Sequence, residues 1–383
     1  MTSSGAGRAL RIAVVHSFYS SRQPSGENVV VDLQVEALRR AGHEVAVVSR
    51  STDELEQAAT YPLRAGFRAA TGRGDSPLAE VRAHRPDVVH VHNLFPNLGR
   101  RWVERLDVPM VATLHNYRPL CPAGTLLRDG ATCTLCPDTG SARHAVVHAC
   151  FKDSRAQTLP VALGTRFADD PVLRCARRVV TLSEAMSRTY EHFGISADRL
   201  VTVPNFVGAA TPSPGDRDDR WLFVGRLTPE KGILALLEAW PADRPLLVVG
   251  DGPSAERARQ LAGPAVTFLG QRPHAEILEL MGLVRGLVFP SLWPEGLPTV
   301  YLEALAAGLP VLAWPQSVVG TLVAADGTGL VHDGADLPAL LAEADRLFPT
   351  LGDHCHSVFD RRYSEQAWSA TMTDLYRSVV DAT

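Results

Sequence analysis

The chain has 383 residues, 45% of them hydrophobic and 21% charged, with a formal net charge of −4. That length exceeds one small core and calls for two domains. The charge balance excludes a general nucleic-acid binder, which needs a basic excess, and no apolar run approaches the roughly 20 residues that span a bilayer.

The first residues, Met1 to Arg8, lack the apolar core of a signal peptide. A cytoplasmic protein with reduced thiols is expected, and peripheral contact with the inner face of a membrane stays open. Arg11 to His16 is a β-branched run, the pattern of a buried parallel strand. A helical pattern follows Pro24-Ser-Gly26 and runs to Ala41, stopping at Gly42. Glu44 to Val48 is the next strand. Residues 51–75 are weakly patterned, with Arg64, Arg68 and Arg73 among Gly and Ala, and read as a helix and loop facing an acceptor. Asp87 to His92 and Val108 to His115 are strands, each ending in a histidine. Val179 to Leu182 and Val201 to Val203 close the first half. Strands alternating with helices imply a doubly wound parallel sheet.

Residues 207–220, rich in Pro, Gly and charge, read as a linker. The alternation then restarts. Strands are expected at Trp221–Val224, Leu246–Val249, Val266–Leu269, Gly286–Phe289 and Val311–Ala313, with helices over Gly232–Trp240 and Ala255–Leu261. A last helix, Glu365 to Val380, has no strand after it and is expected to cross back onto the first domain. The expected layout is an N-terminal domain over 1–206, carrying a cysteine-rich insertion at 118–153 and helix 364–383, and a C-terminal domain over 221–363.

Parallel strands deliver their C-terminal residues to a crevice at the carboxyl edge of the sheet. Strand-end residues are therefore site candidates. Gly225-Arg226 to Lys231-Gly232 follows the first strand of the second domain. Arg226 offers a bidentate fork and Lys231 a point charge, both suited to a diphosphate; the alternative is a solvated turn with surface cations. Gly250-Asp-Gly252-Pro-Ser-Ala255 resembles a dinucleotide turn, but the next strand ends Leu269-Gly270-Gln271-Arg272 without the acid a nicotinamide site needs. A mononucleotide fits better. Glu295 precedes a helix beginning near Pro298, and Glu303 lies in its second turn. These carboxylates can accept sugar hydroxyls beside helix-start N–H groups that suit a phosphate. His115 would reach the crevice and polarise a leaving group; His92 and His16 sit at equivalent strand ends.

Four of the six cysteines, Cys121, Cys133, Cys136 and Cys150, fall within thirty residues. The C-x2-C pair suits a closed structural zinc site, with His144 or His148 as substitutes for one thiolate. Free buried thiols and disulfides are the alternatives. Cys175 and Cys355 read as buried thiols.

Together these residues resemble the retaining glycosyltransferases of family 4, which have the α/β GT-B fold of two Rossmann-like doubly wound domains facing across a cleft. Glu295 to Glu303, an E-x7-E spacing followed by Ala-Leu-Ala-Ala-Gly-Leu-Pro-Val, is the most specific part. Gly225-Arg226, Glu230-Lys231-Gly232, Gly250-Asp-Gly252-Pro253 and Val203-Pro-Asn205 add support. The resemblance implies a nucleotide-diphosphate sugar donor, UDP favoured over GDP, and a hydroxyl acceptor on a polysaccharide, a lipid-linked glycan or a small natural product. It implies that Arg226 and Lys231 hold the diphosphate, which makes a catalytic metal unnecessary. Glu303 would hold the ribose and Glu295 the transferred sugar. Gly296, Leu297, Pro298 and Thr299 would meet sugar or phosphate through their backbone, and Gln271 and Arg272 the base. His115 would contact the transferred sugar, and Gly26 belongs to the glycine loop of the first domain. His16, His92, Asn116, Tyr117 and Arg118 are the acceptor-side candidates. Pro298 departs from the family pattern, where Gly is common. A non-hydrolysing sugar-nucleotide epimerase and a non-catalytic sugar-nucleotide-binding protein share the layout and remain alternatives.

Overall fold

The computed structural model describes residues 8–22, 26–208, 217–332, 334 and 336–382. Residues 1–7, residues 23–25 of the glycine loop and residues 209–216 of the expected linker lie outside them. The chain forms two compact units. One holds the described residues of Met1–Leu126, Thr134–Pro204 and Trp368–Thr383; the other holds those of Leu127–Cys133 and Asn205–Ala367.

The N-terminal unit is built on strands β1 (Arg11–Phe18), β2 (Glu44–Ser51), β3 (Val88–Val91), β4 (Met110–Thr113), β7 (Arg178–Thr181) and β8 (Leu200–Thr202). They form one parallel sheet in the order β2-β1-β3-β4-β7-β8. Between β4 and β7 a two-residue hairpin, β5 (Leu127–Arg128) with β6 (Ala131–Thr132), groups with the other unit. Every residue of β3 and β4 is buried, as strands covered on both faces must be. Pro109 lacks an N–H, so β4 starts at Met110 rather than Val108. Its end also falls short of expectation: β4 stops at Thr113, leaving His115 two residues beyond the strand.

Helix Glu365–Asp381 is fastened to this sheet by polar contacts. Its Tyr376 hydroxyl bonds His90 Nδ1 at 2.7 Å, and Thr373 Oγ1 bonds His43 Nε2 at 2.9 Å. Both tyrosine and histidine are buried, so the bond satisfies groups that water cannot reach.

The second unit repeats the plan with β9 (Trp221–Val224), β10 (Leu246–Val249), β11 (Val266–Gly270), β12 (Gly286–Phe289), β13 (Val311–Ala313) and β14 (Gly329–Val331), all parallel, in the order β11-β10-β9-β12-β13-β14. β14 and helices Val318–Asp326, Leu337–Leu347 and Gly352–Arg362 add to the sequence-based layout. The core packs Trp221 against Trp240 and Phe348, with ring centroids 6.0 and 5.4 Å apart. In each sheet the strand order reverses beside the first strand, between β1 and β3 and between β9 and β12. Ligands of open α/β sheets bind at such reversal points, outside the carboxyl ends of the strands. Among the described residues, no helix is long and apolar enough to cross a membrane.

Candidate active site

At the β9/β12 reversal, the loop after β9 meets the loop after β12. Leu292 N donates to Glu230 O at 2.9 Å, and Ser291 Oγ reaches the same oxygen at 3.3 Å. Gly232 makes this approach possible. Its φ is +73°, and a Cβ there would stand 1.9 Å from the Pro290 carbonyl oxygen. Only glycine tolerates both constraints.

The two loops set an ion pair. Lys231 Nζ lies 2.7 Å from Glu295 Oε2, while Ser291 Oγ donates to Glu295 Oε1 at 2.8 Å. Trp293 covers the ammonium, whose nitrogen stands 5.4 Å from the ring centroid. Glu295 is buried and Lys231 partly so. Each carboxylate oxygen keeps a lone pair for another donor, and the ammonium keeps two N–H groups. Arg226, in the same loop as Lys231, is exposed and makes no side-chain ion pair among the described residues.

Glycines also shape the neighbouring strand ends. Gly250, at φ +133°, would place a Cβ 1.9 Å from the Gly225 carbonyl oxygen, and its N–H donates to Gly270 O at 2.9 Å. Gly252 packs on the Leu227 backbone, and Ser254 N donates to Leu227 O. The ends of β9, β10 and β11 are thus tied into one backbone surface, carrying Gly225, Gly250 and Gly252. Gln271 and Arg272 are exposed beside it, with Arg272 Nε donating to Leu269 O at 3.1 Å.

Helix Thr299–Ala306 follows β12, and Pro298 is its N-cap. Glu303 faces His274, whose Nε2 lies 3.1 Å from Oε1. Burial pushes the Glu303 carboxyl above its ordinary range, against the pull of His274. The sequence reading did not include Ser291 or His274. Gly296 and Thr299 flank buried Leu297 and Pro298 in the same loop.

The N-terminal unit carries a second polar group at the β1/β3 reversal. His92 Nδ1 and His115 Nε2 share a hydrogen bond of 2.9 Å and their rings stack. His90 lies 4.0 Å from His92 between ring centroids, and its Nε2 bonds Thr113 Oγ1. His16 bonds Asn28 Oδ1 at 3.2 Å. Burial lowers the pKa of all four: His16 to about 4, His90 and His115 to about 3, and His92 well below the ordinary value, with neighbouring histidines adding to the fall at His92 and His115. They are neutral at pH 7, each able to donate from one nitrogen and accept at the other.

A recess within this unit is lined by Glu27, His92, Asn93, His115, Asn116 and Arg118, among others. Burial raises the Glu27 carboxyl to about 7 in spite of Arg118 nearby. Glu27 follows Gly26 at the start of helix Gly26–Arg40, and escaped the sequence reading although it adjoins a glycine singled out there. Tyr117 turns away into the core, where it stacks on Tyr190 at 5.9 Å.

The zinc expectation is corrected. Among the described residues, no group of three or more His, Cys, Asp or Glu comes together in a way that could hold a metal. The cysteines are thiols, not disulfides, and Cys136 is buried in the short helix Leu135–Asp138. Packing orders much of the insertion instead. The Arg118 guanidinium lies 4.2 Å from the Phe95 ring and 5.6 Å from that of Phe151, and Nη1 donates to Pro122 O at 2.9 Å.

Comparison with known proteins is consistent across both units. The family model described as Glycosyltransferase Family 4 matches residues 24–210, and that described as Glycosyl transferases group 1 matches residues 218–348. A Bacillus subtilis protein named for a glycosyltransferase role in teichuronic acid biosynthesis is 25% identical over 361 residues, covering 82% of this chain and 83% of that one. A GDP-mannose-dependent alpha-mannosyltransferase of Mycobacterium tuberculosis is 29% identical over 341 residues, with 84% and 83% coverage. Among solved structures, Anabaena HepE with UDP and glucose superposes with a TM-score of 0.63 at 17% identity, over 96% of this chain and 100% of that one. Sucrose-phosphate synthase of Thermosynechococcus elongatus gives 0.66 at 19% identity, over 98% and 100%. These likenesses establish the GT-B fold class. With both sheets matched by models of one enzyme group, the chain belongs to the group 1, family 4 glycosyltransferases.

Proposed function

We propose that the chain transfers a sugar from a nucleotide-diphosphate sugar to an acceptor hydroxyl, with retention at the anomeric carbon. The donor is assigned to the C-terminal unit and the acceptor to the N-terminal unit. One observation carries the reading: the Lys231–Glu295–Ser291 group at the β9/β12 reversal, with exposed Arg226 in the same loop as Lys231.

Charge builds on the departing diphosphate. Fixed cations that meet it without reorganising are the largest catalytic term available, and Lys231 and Arg226 fill that role. Lys231 does so while anchored by Glu295, so its position is set before substrate arrives. The free lone pairs of Glu295 accept hydroxyls of the transferred sugar. Glu303 accepts the ribose hydroxyls, displacing or sharing His274. The strand-end glycines let the backbone approach the nucleotide, with Gln271 and Arg272 at the base. Neutral His115 hydrogen-bonds a sugar hydroxyl. The acceptor oxygen attacks from the face the leaving group departs, and a phosphate oxygen takes its proton.

Relatives support both nucleotides: the Mycobacterium tuberculosis protein is named for GDP-mannose, and HepE was solved with UDP. Thermal shift with UDP and GDP separates them. Replacing Arg226 or Lys231 with Ala and measuring donor turnover tests the core of the reading. Near-wild-type rates in both variants would discard the diphosphate assignment.

A further inference from the structure

Helices Tyr61–Thr71 and Arg155–Gly164 of the N-terminal unit lie against each other. A Cβ at Gly66 would stand 3.8 Å from Pro160, and one at Gly164 would stand 1.7 Å from the Ala69 carbonyl oxygen. The contact positions rise together in both helices, so the helices run in the same direction. In two such right-handed helices, the residue after a contact position on one and the residue before a contact position on the other turn to the same side. Phe67 follows Gly66; Leu159 precedes Pro160 and Leu163 precedes Gly164. Leu63 sits one turn before Phe67.

Leu63 is 79% exposed, Phe67 54%, Leu159 47% and Leu163 57%. They are half of the eight exposed large apolar side chains among the described residues, gathered on one face. Leu63 is flanked by exposed Arg64, and Arg155 lies one turn before Leu159 in the same row. Neither helix contains an acidic residue, although the chain as a whole carries −4. Nearby Asp75 is held by Arg50 at 3.1 Å, a cation it shares with Glu80. An isologous contact between two copies would set this face against itself. Arg64 and Arg155 would then meet only like charge. An anionic lipid surface satisfies both the apolar rows and the cations, as basic amphipathic interfacial helices do.

We propose that this face docks on an anionic membrane surface. Leu63, Phe67, Leu159 and Leu163 enter the boundary between headgroups and acyl chains, and Arg64 and Arg155 meet lipid phosphates. The recess of this unit lies beside that face, since Arg68 and Ala69 of the first helix and Thr165 after the second line it. Docking therefore brings the recess to the lipid surface. The inference does not rest on the donor reading.

The test is flotation of the full chain with vesicles of phosphatidylcholine alone and with about one third phosphatidylglycerol, at low and high salt. Partition onto the anionic vesicles is expected to exceed that onto neutral ones by at least about tenfold and to fall with salt. The double variant Leu63→Ser/Phe67→Ser is expected to lose it, and Arg64→Gln/Arg155→Gln to weaken it several-fold. Circular dichroism and thermal melts confirm that each variant is folded. Two results overturn the proposal. One is equal partition onto neutral and anionic vesicles, or partition unchanged in folded variants. The other is a dimer in sedimentation velocity that the apolar variant abolishes, with no vesicle binding.

Discussion

Replacing Lys231 with Met removes the cation from a pair whose carboxylate is 8% exposed. Breaking a fully buried pair costs about 3–5 kcal/mol, whereas an exposed one is worth at most about 1 kcal/mol. Here Ser291 still holds one oxygen of Glu295, and the lysine side chain is 21% exposed. A loss of about 2 kcal/mol is expected, a fall in Tm of roughly 4–8 °C for a unit of this size. Activity should fall much further. A cation that stabilises developing charge contributes on the order of 10²–10³ in kcat. Adding Glu295→Gln to Lys231→Met replaces the stranded carboxylate by a neutral amide of the same shape, so stability should return to within about 1 kcal/mol of wild type. Turnover should not return. The assay is release of nucleoside diphosphate from donor, run beside thermal melts of wild type, the single and the double variant. If the double variant recovers turnover together with Tm, the pair is a structural clamp and the catalytic assignment fails.

The histidine group predicts acid sensitivity. His16, His90, His92 and His115 have folded pKa values depressed far below the ordinary 6.5. The unfolded chain therefore binds protons that the folded chain refuses, and stability is lost as pH falls below about 6.5; the four histidines together draw up to ~5 kcal/mol per pH unit, and Glu27, whose carboxyl burial raises to about 7, opposes them by ~1 kcal/mol per pH unit. Melting curves between pH 7.5 and about 4.5 measure it, and His90→Gln should flatten the slope by about a quarter. A Tm constant over that range would contradict the burial argument. Gly250→Ala puts a methyl 1.9 Å from the Gly225 oxygen, so the nucleotide turn must shift. Stability is expected to fall by at least about 2 kcal/mol, and the nucleotide-induced thermal shift to vanish. Glu303→Gln removes the charge from a hydroxyl acceptor, worth about 1–2 kcal/mol. Donor KM should rise about tenfold with kcat little changed, because the ribose is held equally in ground and transition states. A fall in kcat at constant KM would move Glu303 to the reacting centre.

Strand positions were legible wherever an apolar run met Gly or Pro at both ends, as at Leu246–Val249 and Gly286–Phe289, or charge at one end and Gly at the other, as at Trp221–Val224. The segment after Ala313 was not. Helix Val318–Asp326 begins Val-Val-Gly-Thr, residues of low helix propensity whose helix is fixed by burial rather than by local preference. The same division holds at the site. Arg226, Lys231, Glu295 and Glu303 stood out because strand ends and turn glycines mark them. Their structural partners come from other stretches, Lys231 and Glu295 meeting across 64 residues of chain and His274 and Glu303 across 29. No local pattern encodes such pairings. The cysteine spacing misled for a related reason: it reports which groups are near in the chain, while the insertion is held by Arg118 on two aromatic rings.

Pro298 shows how a departure from a family pattern is absorbed. A proline in this loop removes one N–H from the neighbourhood of a helix start that is expected to face phosphate or sugar. The structure puts it at the N-cap, with φ −69° and ψ 129°, close to the only φ its ring allows. The first-turn N–H groups of Thr299 and Val300 lie beyond it and are not consumed by the helix. Pro298 also accepts from Tyr301 N at 3.2 Å, closing the first turn over a fixed backbone. The lost donor is thus exchanged for a preset angle between Glu295 and the helix that carries Glu303. Pro298→Gly should consequently lower stability by about 0.4–1 kcal/mol through added freedom in the unfolded chain. It should also raise donor KM about two- to fivefold, because the loop must now be ordered on binding. A KM below wild type would mean that the missing N–H matters more than the rigid turn.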